Sequence, residues 1–310
     1  MMGLRSVVHQ QASVRRGMLM LEGILVKGYS GFYYVYAEKR VWECSLRGRF
    51  RLRDQEFLPG DRVKILPGTG RKATIEEVLP RRNCLSRPPV ANIDQAVLVL
   101  AATSPDPDFN LLDRLLVQAA AIQVNALLVV TKQDLEEPNE ERAAAWQVYS
   151  RLGYPVIRLS NKTGAGIAEL QAYFTGKTSV LAGPSGVGKS SLLNSLVPGL
   201  ELKVGQVGRK LQRGRHTTRH VELLPCSGGL VADTPGFSSL YLPTMRREQL
   251  AGHFPEFHAY LGQCRFASCL HAQEPDCAVK TAVAAGEIAE FRYRHYLDFL
   301  EEVIAAERRY

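Results

Sequence analysis

The stretch LAGPSGVGKSSLLNSL, at residues 181–196, decides how the middle of the chain is interpreted. Gly183, Gly188, Lys189 and Ser190 satisfy the pattern G-x-x-x-x-G-K-[ST], with the strand before and the helix after that a phosphate-binding loop requires. Glycines let backbone N–H groups approach phosphates, the lysine neutralises the β- and γ-phosphates, and the hydroxyl binds Mg²⁺. We therefore expect nucleotide contacts along the whole loop, from Gly183, Pro184, Ser185, Gly186, Val187, Gly188, Lys189, Ser190 and Ser191.

Two downstream segments predict the rest of a phosphate site. The motif DTPG follows the apolar run GGLVA, so Asp233 lies at a strand end, where it can hold Mg²⁺ through water while the Gly236 N–H senses a γ-phosphate. Thr217 and Thr218 lie in GRHTTRH, between the loop helix and this strand. One of these threonines is expected to join Ser190 and Asp233 in the magnesium shell.

Two upstream motifs predict which base is bound. TKQD (131–134) follows the run ALLVV, and its carboxylate, Asp134, can accept from both N1–H and the 2-amino group of guanine. Adenine offers an acceptor at N1 and no 2-amino group, so this carboxylate would reject it. SNKTG (160–164) also follows a strand, and its backbone N–H groups near Asn161 can reach guanine O6. The expected base contacts are Thr131, Lys132, Asp134, Ser160, Asn161 and Lys162.

The order of these motifs is a circular permutation of the ordinary GTPase order, in which the phosphate loop comes first. Residues from about 88 to 242 alternate apolar strands with helices, which is typical of a mainly parallel, covered sheet. Each motif follows its own strand, so all can meet at the carboxyl edge of that sheet. The phosphate loop alone equally fits a guanylate-kinase-like phosphotransferase, but TKQD and DTPG argue against that alternative.

The flanking segments differ in kind. Residues 18–82 show five short strand patterns punctuated by glycine and proline, which favours a small barrel of the OB type. Alternation puts Phe32, Tyr34 and Tyr36 on one face, which either stacks on bases or, as we expect, packs in the barrel core. Residues 287–308 have the apolar spacing of a helix.

A cluster of thiols near the C-terminal end indicates a metal site. Its spacing is C-x₄-C-x-H-x₅-C, formed by Cys264, Cys269, His271 and Cys277. Three thiolates and one imidazole make a closed tetrahedral set that is typical of structural Zn²⁺, so we expect one zinc ion per chain. Glu274 and Asp276 are harder ligands and suit a thiolate site less well.

Charge and hydropathy restrict the partners. Residues 1–86 hold sixteen Lys or Arg against eight Asp or Glu, whereas residues 87–310 hold twenty-three of each, so the net charge of +8 belongs to the first module. Such a module indicates an anionic partner such as RNA, although a merely soluble basic surface is the alternative. The apolar runs are too short to span a membrane and no secretory pattern is present, so we expect a cytoplasmic protein with no membrane partner.

Together, GPSGVGKSSLLN, GRHTTRH, DTPGF and CRFASCLHAQEPDCAV resemble the bacterial ribosome small-subunit-dependent GTPase A family, which assists late assembly of the 30S subunit. The resemblance covers nearly the whole chain. It implies a multi-domain fold with an N-terminal OB-type β-barrel, a central circularly permuted α/β P-loop GTPase domain and a C-terminal, mainly helical zinc-binding domain. It also implies 30S-stimulated GTP hydrolysis with Mg²⁺, with the 30S subunit and its 16S rRNA as partners of a monomeric protein.

Single residues follow from the same resemblance. In HTTR segments of related GTPases the second threonine matches the magnesium ligand, which favours Thr218. Thr131 departs from the asparagine of N-K-x-D, although a hydroxyl replaces some of that amide's bonding. Phe237 stands where Ras-like GTPases have a glutamine that orients the attacking water, and a phenyl ring cannot do this. Some other group must then place the water, and our candidate is His216, which lies beside the switch threonines and can accept from water. The expected catalytic set is His216, Lys189 and Thr218.

The expected domain boundaries are 1–17 for a flexible basic tail, 18–86 for an OB-fold RNA-binding domain, 87–242 for the GTPase domain and 243–310 for the zinc-binding domain. Besides a 30S-stimulated GTPase, the sequence permits a GTP-sensing RNA-binding module with little turnover.

Overall fold

The computed structural model describes residues 20–29, 31–51, 56–86, 89–197, 199–200, 221–237 and 241–308. Within these residues the predicted fold class is confirmed, with a small barrel, a six-stranded sheet with helices, and a helical C-terminal segment. No helix in these ranges combines the length and the apolar composition that crossing a membrane requires.

The first module is a closed five-stranded barrel in the order β1-β2-β3-β5-β4. All neighbours are antiparallel except β3 and β5, which pair in parallel. Its strands are β1 (Leu21–Tyr29), β2 (Phe32–Ala37), β3 (Arg40–Leu46), β4 (Arg62–Pro67) and β5 (Lys72–Val78). A short helix, α1 (Gly48–Arg51), follows β3, and a hairpin of β6 (Cys84–Ser86) and β7 (Pro89–Ala91) follows the barrel.

The face of β2 that fills the barrel core is the opposite of the one we expected. Val35 and Ala37 are buried in the core, whereas Phe32 is 52% exposed and Tyr34 and Tyr36 are half-buried. Alternation placed the three aromatic residues on one face correctly, but the opposite face of β2, with Tyr33, Val35 and Ala37, is the one that packs against the barrel core. The core interpretation of Phe32, Tyr34 and Tyr36 was therefore wrong.

The central sheet has the order β10-β9-β8-β11-β13-β12. Its strands are β8 (Gln95–Ala101), β9 (Asn125–Thr131), β10 (Val156–Arg158), β11 (Thr178–Ala182), β12 (Glu222–Cys226) and β13 (Gly229–Phe237). The pairs from β10 through to β13 are parallel, so the carboxyl ends of these strands share one edge. Every residue of β8 is buried, which explains its continuous apolar run in the sequence.

Four helices connect these strands, namely α2 (Phe109–Ala121), α3 (Glu140–Arg151), α4 (Ile167–Ala172) and α5 (Lys189–Leu196). Side-chain caps fix two of their starts: Asp108 accepts from the Leu111 N–H at 2.9 Å, and Asn139 accepts from the Arg142 N–H at 2.8 Å.

The C-terminal segment contains three α-helices, namely α6 (Arg247–Leu250), α7 (Ala278–Ala284) and α8 (Glu290–Glu307), and two 3-10 helices, Ala251–His253 and Pro255–Phe257. Its core is aromatic, with Phe254, Phe257, Tyr296 and Phe299 fully buried. Val117 of α2 belongs to the same core cluster. The helical segment therefore packs directly on the sheet's own helix layer, and the two lie in one compact unit of the chain.

Candidate nucleotide-binding site and metal centre

The phosphate loop runs from the end of β11 to the start of α5. Gly183, Gly186 and Gly188 have φ angles of 140°, 81° and 93°, a region that favours glycine. A Cβ added at Gly183 would lie 2.0 Å from the Val99 carbonyl oxygen, so glycine is also required here because the loop approaches β8 closely.

Lys189, the first residue of α5, is nearly buried. Its Nζ donates to the carbonyl oxygens of Gly183 at 2.8 Å and Pro184 at 2.5 Å. Burial lowers the pKa of Lys189 to about 8. A bound phosphate would favour the charged form again, because an opposite charge nearby offsets the cost of burial.

The remaining residues of the motif lie in the loop and in the first turn of α5. Ser190 is buried in the first turn of α5 and Ser191 follows it, while the Val187 side chain is buried and anchors the loop. Pro184 directly precedes a turn formed by Ser185 and Gly186.

Asp134 lies in a 3-10 turn (Gln133–Leu135) directly after β9, and its carboxylate is exposed. Ser160, the first residue of the SNKTG segment that follows β10, donates its hydroxyl to Asp134 Oδ1 at 2.6 Å. This hydrogen bond holds the pKa of Asp134 below its usual range. The carboxylate is therefore kept ionised, as acceptance from two guanine donors requires.

The two base motifs also contact the phosphate loop. Thr131 is fully buried, and its Oγ1 donates to the Val187 carbonyl oxygen at 2.5 Å. Asn161 Nδ2 donates to the next carbonyl oxygen, that of Gly188, at 3.4 Å. The structure thus brings together TKQD, SNKTG and the phosphate loop. Thr131 lies 57 residues before Gly188 in the chain, and Asn161 lies 22 residues before Gly183.

Two lysines for which the sequence predicts base contact also lie at this edge. Lys132 has a left-handed backbone, with φ 58°, and its Nζ donates to the Ser104 carbonyl oxygen. Lys162 donates its backbone N–H to Ser160 Oγ at 3.2 Å, which shapes the second base loop.

Sequence reasoning missed the loop at residues 102–108, which follows β8. Besides the Lys132 contact to Ser104, the side chain of Pro105 would lie 3.9 Å from a Cβ at Gly186. The rule that located the other motifs, a polar segment at the carboxyl end of a parallel strand, applies equally to this one.

The switch motifs are placed only in part. Asp233 and Gly236 belong to β13, which pairs in parallel with β11; because this strand runs on to Phe237, Asp233 lies within it and not at its end as expected. Only the backbone of this stretch is described. His216, Thr217 and Thr218 lie outside the described residues.

The thiol cluster forms a compact set of donors. The ligand atoms of Cys264, Cys269, His271 and Cys277 all lie within 4.8 Å of one another. His271 Nδ1 is 3.5 Å from Cys264 Sγ and 3.4 Å from Cys277 Sγ, and those two sulfur atoms are 3.8 Å apart. A tetrahedral zinc ion with ordinary bond lengths would need N–S and S–S separations of roughly 3.6 and 3.8 Å. The donor set therefore fits a metal ion of this kind.

The surroundings hold the donors in place. Tyr293 donates its hydroxyl to the His271 carbonyl oxygen at 2.7 Å, and Tyr296 donates to that of Leu270 at 2.7 Å. Burial lowers the pKa of His271, which favours the neutral imidazole that a metal requires. Glu274 caps the loop by accepting the Leu270 N–H at 2.8 Å, so its carboxylate has a structural role.

Comparisons with known proteins agree with this geometry. The model of the RsgA GTPase family matches residues 78–243, and that of the RsgA N-terminal domain matches residues 22–75. The small ribosomal subunit biogenesis GTPase RsgA of Moorella thermoacetica is 53% identical over 289 residues, covering 93% of this chain and 99% of that protein. That of Carboxydothermus hydrogenoformans is 47% identical over 292 residues, covering 93% and 99%.

Two solved structures are similar over nearly the whole chain. YjeQ from Thermotoga maritima has a TM-score of 0.81 at 40% identity and covers 92% of this chain and 99% of its own. YloQ, described as a circularly permuted GTPase, has a TM-score of 0.79 at 40% identity and covers 93% and 96%. The order of the motifs, the meeting of three of them at one sheet edge and these matches lead to one conclusion: the chain belongs to the RsgA GTPase family and is a GTP-hydrolysing enzyme.

Proposed function

We propose that this protein is a GTPase of small ribosomal subunit biogenesis, stimulated by the 30S subunit, which binds the subunit with GTP and leaves after hydrolysis. The observation that carries the nucleotide part is the contact of Thr131 and Asn161 with the phosphate loop, together with the hydrogen bond that joins the two base motifs at Asp134. The ribosomal part rests on relatives named small ribosomal subunit biogenesis GTPase. The 16S rRNA, a cytoplasmic location, a monomeric state and the absence of a membrane partner belong to the same proposal.

The residues of the site divide the work. Asp134 reads guanine, Lys132 covers the base, and the backbone near Asn161 meets O6. Lys189 and the loop N–H groups hold the phosphates. Magnesium, held by Ser190, Thr218 and Asp233, would neutralise charge on the β- and γ-phosphates.

The remaining assignments have separate roles. Gly236 senses the γ-phosphate, and His216 positions the attacking water. Zinc in the four-ligand site is structural, because four protein ligands leave no position for substrate. We keep the boundaries 1–17, 18–86, 87–242 and 243–310, and assign RNA contact to the first 86 residues because they carry the positive excess.

The decisive experiment compares GTP hydrolysis with and without purified 30S subunits under single-turnover conditions. Strong stimulation supports the proposal. Binding to 30S without stimulation favours instead a GTP-sensing RNA-binding module. Formation of GDP from GMP and ATP would indicate a guanylate-kinase-like enzyme.

A further inference from the structure

Thr131 has no hydrogen left for a nucleobase. A hydroxyl carries one hydrogen, and that of Thr131 is directed at the Val187 carbonyl oxygen at 2.5 Å in a fully buried position. Asp134 offers only acceptors when ionised. The TKQD segment therefore supplies no side-chain donor from these two residues for the acceptor atoms of guanine, N7 and O6.

Asn161, from the other base loop, lies where such a donor is needed. Its Nδ2 contacts the Gly188 carbonyl oxygen, the one that follows the carbonyl bound by Thr131. A Cβ built on Gly188 would lie 3.2 Å from the same nitrogen and 3.9 Å from Thr131 Oγ1. The preceding residue, Ser160, holds the Asp134 carboxylate. The amide therefore lies between the base reader and the phosphate loop.

The hydrogen-bonding capacity of this amide is largely unused. Its Nδ2 makes one long bond, at 3.4 Å, and its Oδ1 is buried without a hydrogen-bond partner among the described residues. Buried polar atoms are nearly always satisfied, so this arrangement indicates that a ligand or ordered water completes it. A primary amide nitrogen carries two hydrogens, and Gly188 uses one.

We propose that Asn161 donates the second hydrogen of Nδ2 to N7 of the bound guanine and is thus a specificity-determining residue of the GTP site. This inference rests on the proposed guanine site. Two residues then hydrogen-bond to different edges of guanine: Asp134 accepts from N1–H and the 2-amino group, and Asn161 donates to N7 on the imidazole edge. Oδ1 cannot pair with the acceptors N7 and O6, so it is left to ordered water.

The test combines a variant with nucleotides that lack single atoms, using the full-length protein. GDP is compared with 7-deaza-GDP, which lacks N7, and with IDP, which lacks the 2-amino group. The wild-type protein should bind 7-deaza-GDP roughly 3- to 10-fold more weakly than GDP, the range for one net hydrogen bond. In Asn161→Ala this difference should vanish, while the preference for GDP over IDP stays as in the wild type. Asn110→Ala, an amide on α2, serves as the matched control and should retain both preferences.

Two outcomes overturn the inference while leaving the guanine site standing. One is equal binding of GDP and 7-deaza-GDP by the wild type, and the other is an unchanged difference between them in Asn161→Ala, each with a normal IDP penalty. If the wild-type protein bound IDP as tightly as GDP, the guanine site itself would be contradicted, and the inference would fail with it.

Discussion

Asp113 of α2 and Arg292 of α8 form an ion pair whose side chains are almost completely buried, although 179 residues separate them. Glu256 receives two further bonds from the same guanidinium, at 2.6 and 2.9 Å, and His295 Nδ1 lies 2.6 Å from Asp113 Oδ2. Burial alone would lower the pKa of Arg292, but Asp113 and Glu256 outweigh it and hold that pKa well above its usual value. The C-terminal segment, which carries the cluster of three cysteines and one histidine, is thus attached to helix α2 by charges shielded from water.

Replacing Arg292 by methionine should lower the free energy of unfolding by about 3–5 kcal/mol, because two carboxylates would remain buried without their partner. Urea or guanidinium titration measures the change. Arg294→Met is the matched control on the same helix, since its contact with Glu290 is 3.9 Å long and exposed. It should cost no more than about 0.5 kcal/mol. Equal effects of the two substitutions would contradict a stabilising role of the buried cluster.

Asp134→Asn should weaken GDP binding by roughly 10-fold or more, because a charged acceptor of two guanine donors is lost.

Ser160→Ala should act differently, by shifting the pH dependence of GDP binding. Ser160 keeps the Asp134 pKa low, so binding persists until the pH falls through that lowered pKa, and loss of the hydroxyl should move this acid limb to higher pH. Calorimetric titration measures both effects. Glu137→Gln, an exposed residue nearby, should change neither.

Removal of the metal with a chelator should unfold the C-terminal segment, since a structural metal contributes folding free energy directly. Elemental analysis should find about one zinc per chain, as one four-ligand site implies. Cys277→Ser should lose the metal, whereas Cys84→Ser, at an exposed thiol outside the cluster, should keep it. A folded protein purified without any metal would overturn the structural role.

His216→Ala should abolish the 30S-stimulated part of GTP hydrolysis and leave GTP affinity nearly unchanged, because the imidazole is proposed to position water and not to bind nucleotide. His220→Ala, in the same sequence segment, is the control and should be stimulated normally. Single-turnover hydrolysis with and without 30S subunits provides the measurement. Full stimulation of His216→Ala would assign the water to another group.

Binding to 30S subunits should weaken steeply as salt rises, because basic residues that neutralise phosphates release counterions. Alanine at Lys39, Arg71 and Lys72, which are exposed on the barrel module, should reduce the salt slope by up to roughly 0.7–0.9 for each lost phosphate contact. The control replaces three arginines of the C-terminal segment by alanine, namely Arg246, Arg265 and Arg294. If only the control lowers the slope, the barrel is not the anchor.

A second basic contact with the 30S subunit is predicted at Lys203, Arg209, Lys210, Arg213, Arg215 and Arg219.

Sequence patterns predicted the architecture well where local rules apply. Apolar runs gave the buried strands of the sheet, and the glycines of the phosphate loop were explained by positive φ angles at Gly183, Gly186 and Gly188. The spacing of the thiols predicted the cluster of three cysteines and one histidine that could hold a metal ion. In each case the information lies within a few residues or in a motif whose chemistry requires one geometry.

Features that depend on distant residues were not accessible in this way. Asp113 lies inside the apolar helix pattern LLDRLLVQAAAI, and nothing local indicates that its partner is Arg292. Phe32 was wrongly expected in the barrel core, because alternation divides the residues of a strand between two faces but does not tell which face points inward. The contact between Asn161 and Gly188 likewise depends on how two loops approach, which tertiary packing decides.

The shared core around Val117 has a practical consequence for anyone who divides this chain. The family model of the GTPase ends at residue 243, but Val117 packs into an aromatic core made almost entirely by residues after that point. A recombinant fragment cut there would leave an uncovered apolar patch on α2 and an orphaned Asp113 beside it. Such a fragment should be prone to aggregation, and its poor behaviour would say nothing about the nucleotide chemistry. The catalytic unit for biochemical work is therefore longer than its sequence signature.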